Sequence, residues 1–278
     1  MKLDIRYVGL GGEITLSQRP IFYADSDFFK RNYNYSTTPL VSGKGSKKSS
    51  FYKSDVEYAL NLNVVGRTKE HAYELMNEMN DLFERDVYND VGGCLYVNDW
   101  YVKCFVVSSR SYATSYIGNM FMVELKILVE VPLWIKEETL IFDTFSANSE
   151  TGFILPTSIP FGLTSDPGTQ QLFIDHFSSV RSEISMFGPA VNPSFSIGSH
   201  IYQVNGTLLS GERFVINQLN KTVVKVTNSG EVINCFNLRS KTYSVFEPIP
   251  AGESMLTYSG EFAISINLFY ERGEPQWS

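Results

Sequence analysis

Three long stretches of this chain alternate apolar and polar residues at every second position. They are Val56–Val64, Met120–Val131 and Phe262–Tyr270. A period of two places the apolar side chains on one face of an extended strand and the polar side chains on the other. The chain also contains 20 Phe and 16 Tyr, and aromatic residues favour strands. The alternation therefore predicts a mainly β protein whose sheets bury one face.

One segment of the first half has a helical pattern instead. From Thr68 to Val87 the apolar residues recur at steps of three and four positions, which places them on one stripe of a helix. The hydroxyl of Thr68 is suited to cap the first turn. We expect one helix that packs across its own sheet through the stripe Ala72, Leu75, Met76, Met79 and Phe83.

A β-hairpin is predicted after this helix, with its turn at Asn98-Asp99. Its strands are Leu95–Val97 and Tyr101–Val107. A three-residue loop would place Cys94 opposite Cys104, whereas a two-residue loop would place Cys94 opposite Lys103. The chain has three cysteines, an odd number, so we expect reduced thiols that behave as small apolar side chains.

The pattern divides the 278 residues into two domains. Residues 1–134 hold strands, the helix and the hairpin, and Pro132 helps to end the last strand because proline cannot donate to a ladder. Residues 135–278 show short strand-like runs between turn signals, which is typical of an antiparallel β-sandwich. The strands expected there are Gln171–Phe177, Ser182–Phe187, Ser194–Ile197, Arg213–Asn217, Thr222–Val226, Val232–Phe236 and Phe262–Tyr270.

Charge is distributed unevenly in the first domain. Six basic residues and no acidic residue lie between Lys30 and Lys53, around a segment, Ser36–Ser50, that is rich in Ser, Gly and Lys and is expected to be a flexible loop. The helix region, residues 69–90, has seven acidic residues against two basic ones. These elements could attract each other within a chain or between chains, or both could simply be solvated. The candidate interface residues are Lys44, Lys47, Lys48, Glu74, Glu78 and Asp81.

Signals of chemistry are weak throughout the sequence. His71, His176 and His200 are not spaced as metal ligands with one another or with cysteine. We find no Gly-x-Ser-x-Gly motif, no complete phosphate-binding loop and no dinucleotide fingerprint. We therefore expect no catalytic residue, metal or cofactor, and a protein that is not an enzyme.

Net charge and the distribution of apolar residues restrict which partners and compartments we expect for this chain. The net charge is −7, which does not favour sequence-specific nucleic acid as the main partner. No apolar run is long enough to span a membrane, and the first residues do not read as a signal peptide. We expect folding in a cytoplasm.

Turn residues of the second half follow a distinctive order. It is Gly188, Asn192-Pro193, Tyr202, Gly211-Glu212, Gly230, Asn234, Ile249-Pro250 with Gly252, and Pro275 with Trp277. This order resembles that of the distal tail proteins of long-tailed, siphovirus-type bacteriophages and prophages. The first half is similar to the ring-forming domain of the same family, with its strands, single helix, hairpin, long strand and closing Pro-Leu-Trp.

The resemblance implies a structural protein of the virion. Residues 1–134 would form a ring, typically hexameric, at the tail tip or baseplate, and residues 135–278 would form a galectin-like β-sandwich that projects outward. The ring would join the tail tube protein to a tail-associated hub or fibre protein, could hold receptor-binding proteins, and would let DNA pass. Assembly would take place in the host bacterial cytoplasm.

The matching residues have physical roles that mark a fold and not an active site. Gly188, Gly211, Gly230 and Gly252 are expected at turns where a side chain would clash. Pro193 and Pro250 are expected to fix φ at strand entrances.

A carbohydrate-binding adhesion module is the second hypothesis, because a β-sandwich alone does not decide function. Sugar sites commonly use exposed aromatic rings as platforms. The candidate platforms in the second half are Tyr202, Tyr243, Tyr258 and Trp277.

Overall fold

The computed structural model describes residues 3–113, 119–144 and 168–276. This part of the chain is mainly strand and contains a single α-helix. Neighbouring strands pair in the antiparallel sense. The mainly β fold expected from the alternation is confirmed.

The chain forms two compact units. Unit 1 comprises Met1–Lys136 and Glu271–Ser278, and unit 2 comprises Glu137–Tyr270. The expected boundary after Trp134 lies two residues before the change of unit, whereas residues 271–278 group with unit 1. The elements of unit 1 are β1 (Ile5–Gly9), β2 (Gly12–Thr15), β3 (Ser17–Gln18), β4 (Ile21–Ser26), β5 (Asn34–Pro39), β6 (Ser46–Tyr52), β7 (Val56–Val65), α1 (Lys69–Tyr88), β8 (Gly93–Val97), β9 (Trp100–Ala113) and β10 (Met120–Val129).

Strand β7 is the centre of the main sheet of unit 1. It pairs with β4 on one side and with β10 on the other, and β10 pairs in turn with β9. Leu62 lies opposite Val123 and Leu60 opposite Leu125, and all four side chains are buried. The predicted alternation is therefore confirmed for Val56–Val64 and for Met120–Val129. The prediction was wrong at Val131, which lies beyond β10 and is 65% exposed.

The helix runs one residue further than predicted at its C-terminus. Thr68 is its N-cap, and the hydroxyl accepts a hydrogen bond of 3.2 Å from the amide of His71. Ala72, Met76, Met79 and Phe83 are buried as expected, whereas Leu75 is only half-buried. The stripe also includes two residues that the prediction left out, Leu82 and Asp86.

Asp86 is a fully buried carboxylate on this otherwise apolar stripe. One carboxylate oxygen accepts a hydrogen bond of 2.6 Å from the hydroxyl of Tyr7, and the other accepts one of 2.8 Å from the amide of Leu10. Burial and the hydrogen bond to Asp86 raise the pKa of Tyr7 well above its usual range. A Cβ atom at Gly9 or Gly93 would overlap this carboxylate. The group therefore fixes the last turn of α1 to the turn between β1 and β2.

The hairpin of β8 and β9 has the shorter of the two loops considered. Asn98 and Asp99 form a two-residue turn, so Cys94 lies opposite Lys103 and Gly93 lies opposite Cys104. Successive residues of a strand point to opposite faces, so the two cysteine side chains lie on different faces of the sheet. Both cysteines are free of disulfide bonds.

Unit 2 consists of two antiparallel sheets and a small two-stranded pair. Strands β11 and β22 begin in one unit and end in the other. The strands are β11 (Trp134–Phe142), β12 (Thr169–Ile174), β13 (Arg181–Phe187), β14 (Ala190–Val191), β15 (Ser194–Ile197), β16 (His200–Gln203), β17 (Thr207–Leu208), β18 (Arg213–Asn217), β19 (Thr222–Val226), β20 (Val232–Asn234), β21 (Gly252–Tyr258) and β22 (Ile264–Arg272).

The two larger sheets of unit 2 correspond to the two layers expected of a β-sandwich. One sheet contains β20, β19, β18, β13 and β22 in that order, and the other contains β12, β21, β15 and β16. Alternate residues of β13 and β22 are buried, and Ile184 lies directly opposite Ile266. Strands β15, β18 and β19 have the predicted bounds.

Other predicted strands of unit 2 were wrong at their ends, and some were missed. The run Val232–Phe236 stops at Asn234, because a short 3-10 helix, Phe236–Leu238, follows. Phe262 lies before β22 and not within it. The sequence did not predict β11, β16 or β21.

Gly188 and Gly211 lie where other chain segments approach closely. A Cβ at Gly188 would overlap the carbonyl oxygen of Leu209, and one at Gly211 would overlap the amide oxygen of Asn228. At Gly230 and Gly252 no atom lies within 4 Å of such a Cβ, so the expected clash is wrong there, and the positive φ of both residues is the constraint. Pro193 directly precedes β15, and Pro250 lies two residues before β21.

Glu212, which follows Gly211, ties three segments of unit 2 together. Its Oε2 accepts a hydrogen bond of 2.7 Å from the amide of Leu209 and lies 2.6 Å from Nζ of Lys225. Lys225 also donates to the carbonyl oxygen of Thr207. The Leu209 amide, followed by the Lys225 ammonium, holds the pKa of Glu212 below its ordinary value.

Replacing Asp86 by alanine should destabilise the protein strongly, because two donors lose their acceptor inside unit 1. Each buried donor left unpaired costs about 1–3 kcal/mol, so the free energy of unfolding should fall by at least about 2 kcal/mol. Urea denaturation measures it. Glu84→Ala, an exposed acid on the same helix, is the control and should change little. Equal losses for the two variants would contradict the role of Asp86.

Glu212→Gln should lower stability in a pH-dependent way. Because the pKa of Glu212 is lowered in the folded state, its ionised form stabilises the fold at neutral pH. That contribution is lost as the pH falls through the folded pKa. The difference in unfolding free energy between native protein and variant should therefore be largest at neutral pH and shrink in acid. Glu253→Gln, at an exposed position, should show a small and flat difference.

Candidate assembly surface

The segment predicted as a flexible loop is a β-hairpin. Strands β5 and β6 pair with each other along their length, with a bulge near Ser49. The prediction was wrong because Ser, Gly and Lys are typical of loops, and because strands exposed on both faces lack an apolar alternation. We call residues 34–52 the basic hairpin.

Polar side chains connect the two strands of the basic hairpin. Ser36 and Ser50 share a hydrogen bond of 2.8 Å between their hydroxyls, and Thr38 and Ser49 share another of 2.8 Å. The tip is closed by the amide of Leu40, which donates to the carbonyl oxygen of Gly45 at 3.0 Å. Among the described residues, β5 and β6 pair with no third strand. A two-stranded hairpin without such support is only marginally stable in water.

The candidate lysines are all solvent-exposed on this hairpin. Lys44 lies in the tip, and Lys47 and Lys48 lie in β6. The hairpin also carries aromatic rings that the sequence analysis did not single out. Tyr35 lies opposite Phe51, and their side chains are 65% and 61% exposed. The Nζ of Lys48 lies 4.5 Å from the ring centre of Phe51.

The exposed aromatic rings of the basic hairpin are typical of a contact surface. Aromatic residues are enriched where proteins bind one another, and large exposed apolar side chains in a group mark interaction sites more often than single ones do. The sequence does contain a signal for these aromatic rings. Tyr33 and Tyr35 precede the Lys- and Ser-rich segment, and Phe51 and Tyr52 follow it.

Lys53 anchors the base of the basic hairpin. Its Nζ donates to the carbonyl oxygen of Pro132 at 2.9 Å and to that of Gly273 at 3.0 Å. The same Nζ lies 4.9 Å from the ring centre of Tyr33. Burial lowers the pKa of Lys53. Lys53 is one of the six basic residues of this region, but its ammonium group donates hydrogen bonds within unit 1.

The acidic candidates lie together on the outer side of α1. Glu74, Glu78 and Asp81 are exposed, and their spacing of four and three residues places them on one face of the helix. We call these three residues the acidic face. Within the described residues, none of them forms an ion pair with Lys44, Lys47 or Lys48. The attraction within one chain that the sequence left open is therefore absent from this structure, and both charged surfaces face solvent.

The aromatic residues considered for sugar binding are mostly unsuitable as platforms. Tyr202 is fully buried and stacks on Phe195, and Tyr258 is 5% exposed. Tyr243 is 39% exposed, and Trp277 lies outside the described residues. Among the candidates that the structure describes, Tyr243 is therefore the one exposed ring that supports the carbohydrate hypothesis.

The histidines hold ordinary packing positions. His71 accepts a hydrogen bond from the amide of Arg67 at the start of α1, and His200 contacts the carbonyl oxygen of Ser244. In residues 3–113, 119–144 and 168–276, no three His, Cys, Asp or Glu side chains are grouped so that they could hold a metal ion. The helix that the structure describes lacks the long apolar stretch of a membrane span.

Solved structures of phage tail proteins match nearly the whole chain. The Dit protein of phage SPP1, described as a paradigm of the hub adsorption apparatus in phages that infect Gram-positive bacteria, matches with a TM-score of 0.64 and 10% identity, over 97% of this chain and 99% of its own. A chain of the phage P2 baseplate, in its activated conformation with Ca, matches with a TM-score of 0.63 and 9% identity, over 99% and 100%. The same baseplate with Sr gives 0.60 and 10%, over 95% and 97%.

No protein-family model and no curated protein matches the sequence. At about 10% identity these structures establish the fold, and they confirm the resemblance that the order of turn residues indicated. The chain has the fold of the distal tail proteins of long-tailed phages.

Proposed function

We propose that this protein is a structural component of the tail tip or baseplate of a siphovirus-type phage, in which copies of the chain form a hexameric ring. The observation that carries the proposal is the likeness in fold to the SPP1 Dit protein over 97% of the chain. We assign the protein no enzymatic activity in this role.

The contact between neighbouring copies uses the basic hairpin of one copy and the acidic face of the next. Three exposed lysines and three exposed acids are complementary in charge, and neither set is paired within its own chain in the described residues. A contact between two different surfaces of the same protein is heterologous, and such contacts generate rings where the rotation between neighbouring copies closes. The exposed rings of Tyr35 and Phe51 would add apolar area to the charged contact.

Further partners follow from the position of such a ring in a tail. It joins the tail tube protein on one side to a tail-associated hub or fibre protein on the other, and it lets DNA pass. The second domain, a galectin-like sandwich, projects outward and can hold receptor-binding proteins. The net charge of −7 supports passage of DNA without adhesion, because like charges repel. The protein acts in the virion and is assembled in the host bacterial cytoplasm.

Light scattering and negative-stain images of the purified protein test the ring. We expect a mass of six copies and particles with a central hole. The variant with Lys44→Glu, Lys47→Glu and Lys48→Glu should shift the protein towards single copies, because it places like charges against the acidic face. Raised ionic strength should weaken assembly of the native protein, since salt screens exposed charges.

The control changes lysines of unit 2. Lys221→Glu with Lys241→Glu alters exposed charges away from the proposed contact and should leave the rings intact. A native protein that stays as single copies at low ionic strength, both alone and with a tail tube protein, would contradict the proposal. Equal loss of assembly in both sets of variants would contradict the contact.

A further inference from the structure

The basic hairpin depends on parts of the chain that are far away in sequence. Its two strands pair only with each other in the described residues, so the sheets of unit 1 contribute no ladder to it. The contacts of Lys53 join the hairpin base to Pro132, after β10, and to Gly273, after β22. Hydrogen bonds from an ammonium group to carbonyl oxygens are stronger than those between neutral groups.

The segment after β22 is fitted closely around this ammonium. Gly273 and Pro275 are buried. A Cβ at Gly273 would lie 2.9 Å from Nζ of Lys53 and 3.0 Å from the hydroxyl oxygen of Tyr33, which is closer than non-bonded atoms normally approach. Glycine at this position therefore lets the carbonyl group reach Lys53.

We propose that residues 273–276 act as a strap that holds the basic hairpin in order through Lys53, and that the hairpin loses its fixed position when the strap is displaced. Lys53 is a positioning residue in this arrangement, because it acts on the hairpin and does not itself form the proposed contact with a second copy. The consequence for ring formation rests on the proposed function, whereas the effect on hairpin order does not.

The position of the strap in the sequence determines when, during synthesis, the basic hairpin becomes fully anchored. Residues 273–276 follow the whole of unit 2 in the sequence, so they emerge last among the groups that meet at Lys53. The hairpin of a chain still in synthesis lacks one of its two carbonyl anchors. Docking of the hairpin on another copy is therefore favoured only after unit 2 has been made.

Hydrogen–deuterium exchange, read by mass spectrometry from millisecond labelling times, tests the strap on the full chain. In Lys53→Met, the amides of β5 and β6 should exchange at least about tenfold faster, since two charge-assisted hydrogen bonds are lost. The amides of α1 should keep their native rates. Gly273→Ala, whose Cβ would displace the ends of the Lys53 and Tyr33 side chains, should accelerate the same amides by a smaller factor.

Lys126→Met is the matched control, because Lys126 is an exposed lysine of unit 1 that pairs with Glu57 at the surface. It should leave hairpin exchange unchanged. Native exchange rates of β5 and β6 in both Lys53→Met and Gly273→Ala would overturn the proposal. Faster exchange in these variants, together with a native protein that forms no rings, would support the strap and contradict only the proposed assembly.

Discussion

The buried carboxylate of Asp86 is the constraint on which the first unit depends. It holds the last turn of α1 against the turn between β1 and β2 through Tyr7 and Leu10. A buried charge is tolerated only when its oxygens have donors, so the rotation of the helix about its axis is fixed at this point. With Asp86 directed inward, Glu74, Glu78 and Asp81 are directed outward, and the acidic face exists as one surface.

The second surface depends on a different cation. Lys53 lies where the basic hairpin meets the rest of unit 1, and it fixes a pair of strands that would be marginal alone. The two charged surfaces are thus held by a fully buried carboxylate, Asp86, and by a half-buried ammonium group, Lys53. The fold of this protein matches that of a phage tail hub protein over nearly its full length. Within that fold, the basic hairpin presents lysines and the helix presents acidic residues, and both surfaces face solvent.

The sequence predicts those elements whose side chains separate into a buried and an exposed face. The strands Val56–Val65 and Met120–Val129 were found because their alternation follows from burial, and α1 because its stripe has a period near 3.6. The basic hairpin was missed because both of its faces are exposed. Strand β21, Gly252–Tyr258, was missed because its Gly and Ser read as turn residues.

The candidate assembly surface could also be predicted only in part from the sequence. The exposed charges were identified from the sequence, but their presentation depends on Asp86 and Lys53, whose residue types alone do not distinguish them from neighbouring charged residues. Asp86 could have been recognised, since it lies three residues after Phe83 and seven after Met79 on the apolar stripe. Lys53 could not, because its acceptors are backbone carbonyl groups 79 and 220 residues away.

A charge-swap mixture tests most directly whether the two surfaces bind each other. One variant carries glutamate at Lys44, Lys47 and Lys48, and the other carries lysine at Glu74, Glu78 and Asp81. Each alone should stay as single copies, because its two surfaces then have the same sign. Mixed in equal amounts, they should alternate and close into rings with three copies of each, as native mass spectrometry would show. A mixture of folded variants that does not assemble, beside a native protein that does, would contradict the account.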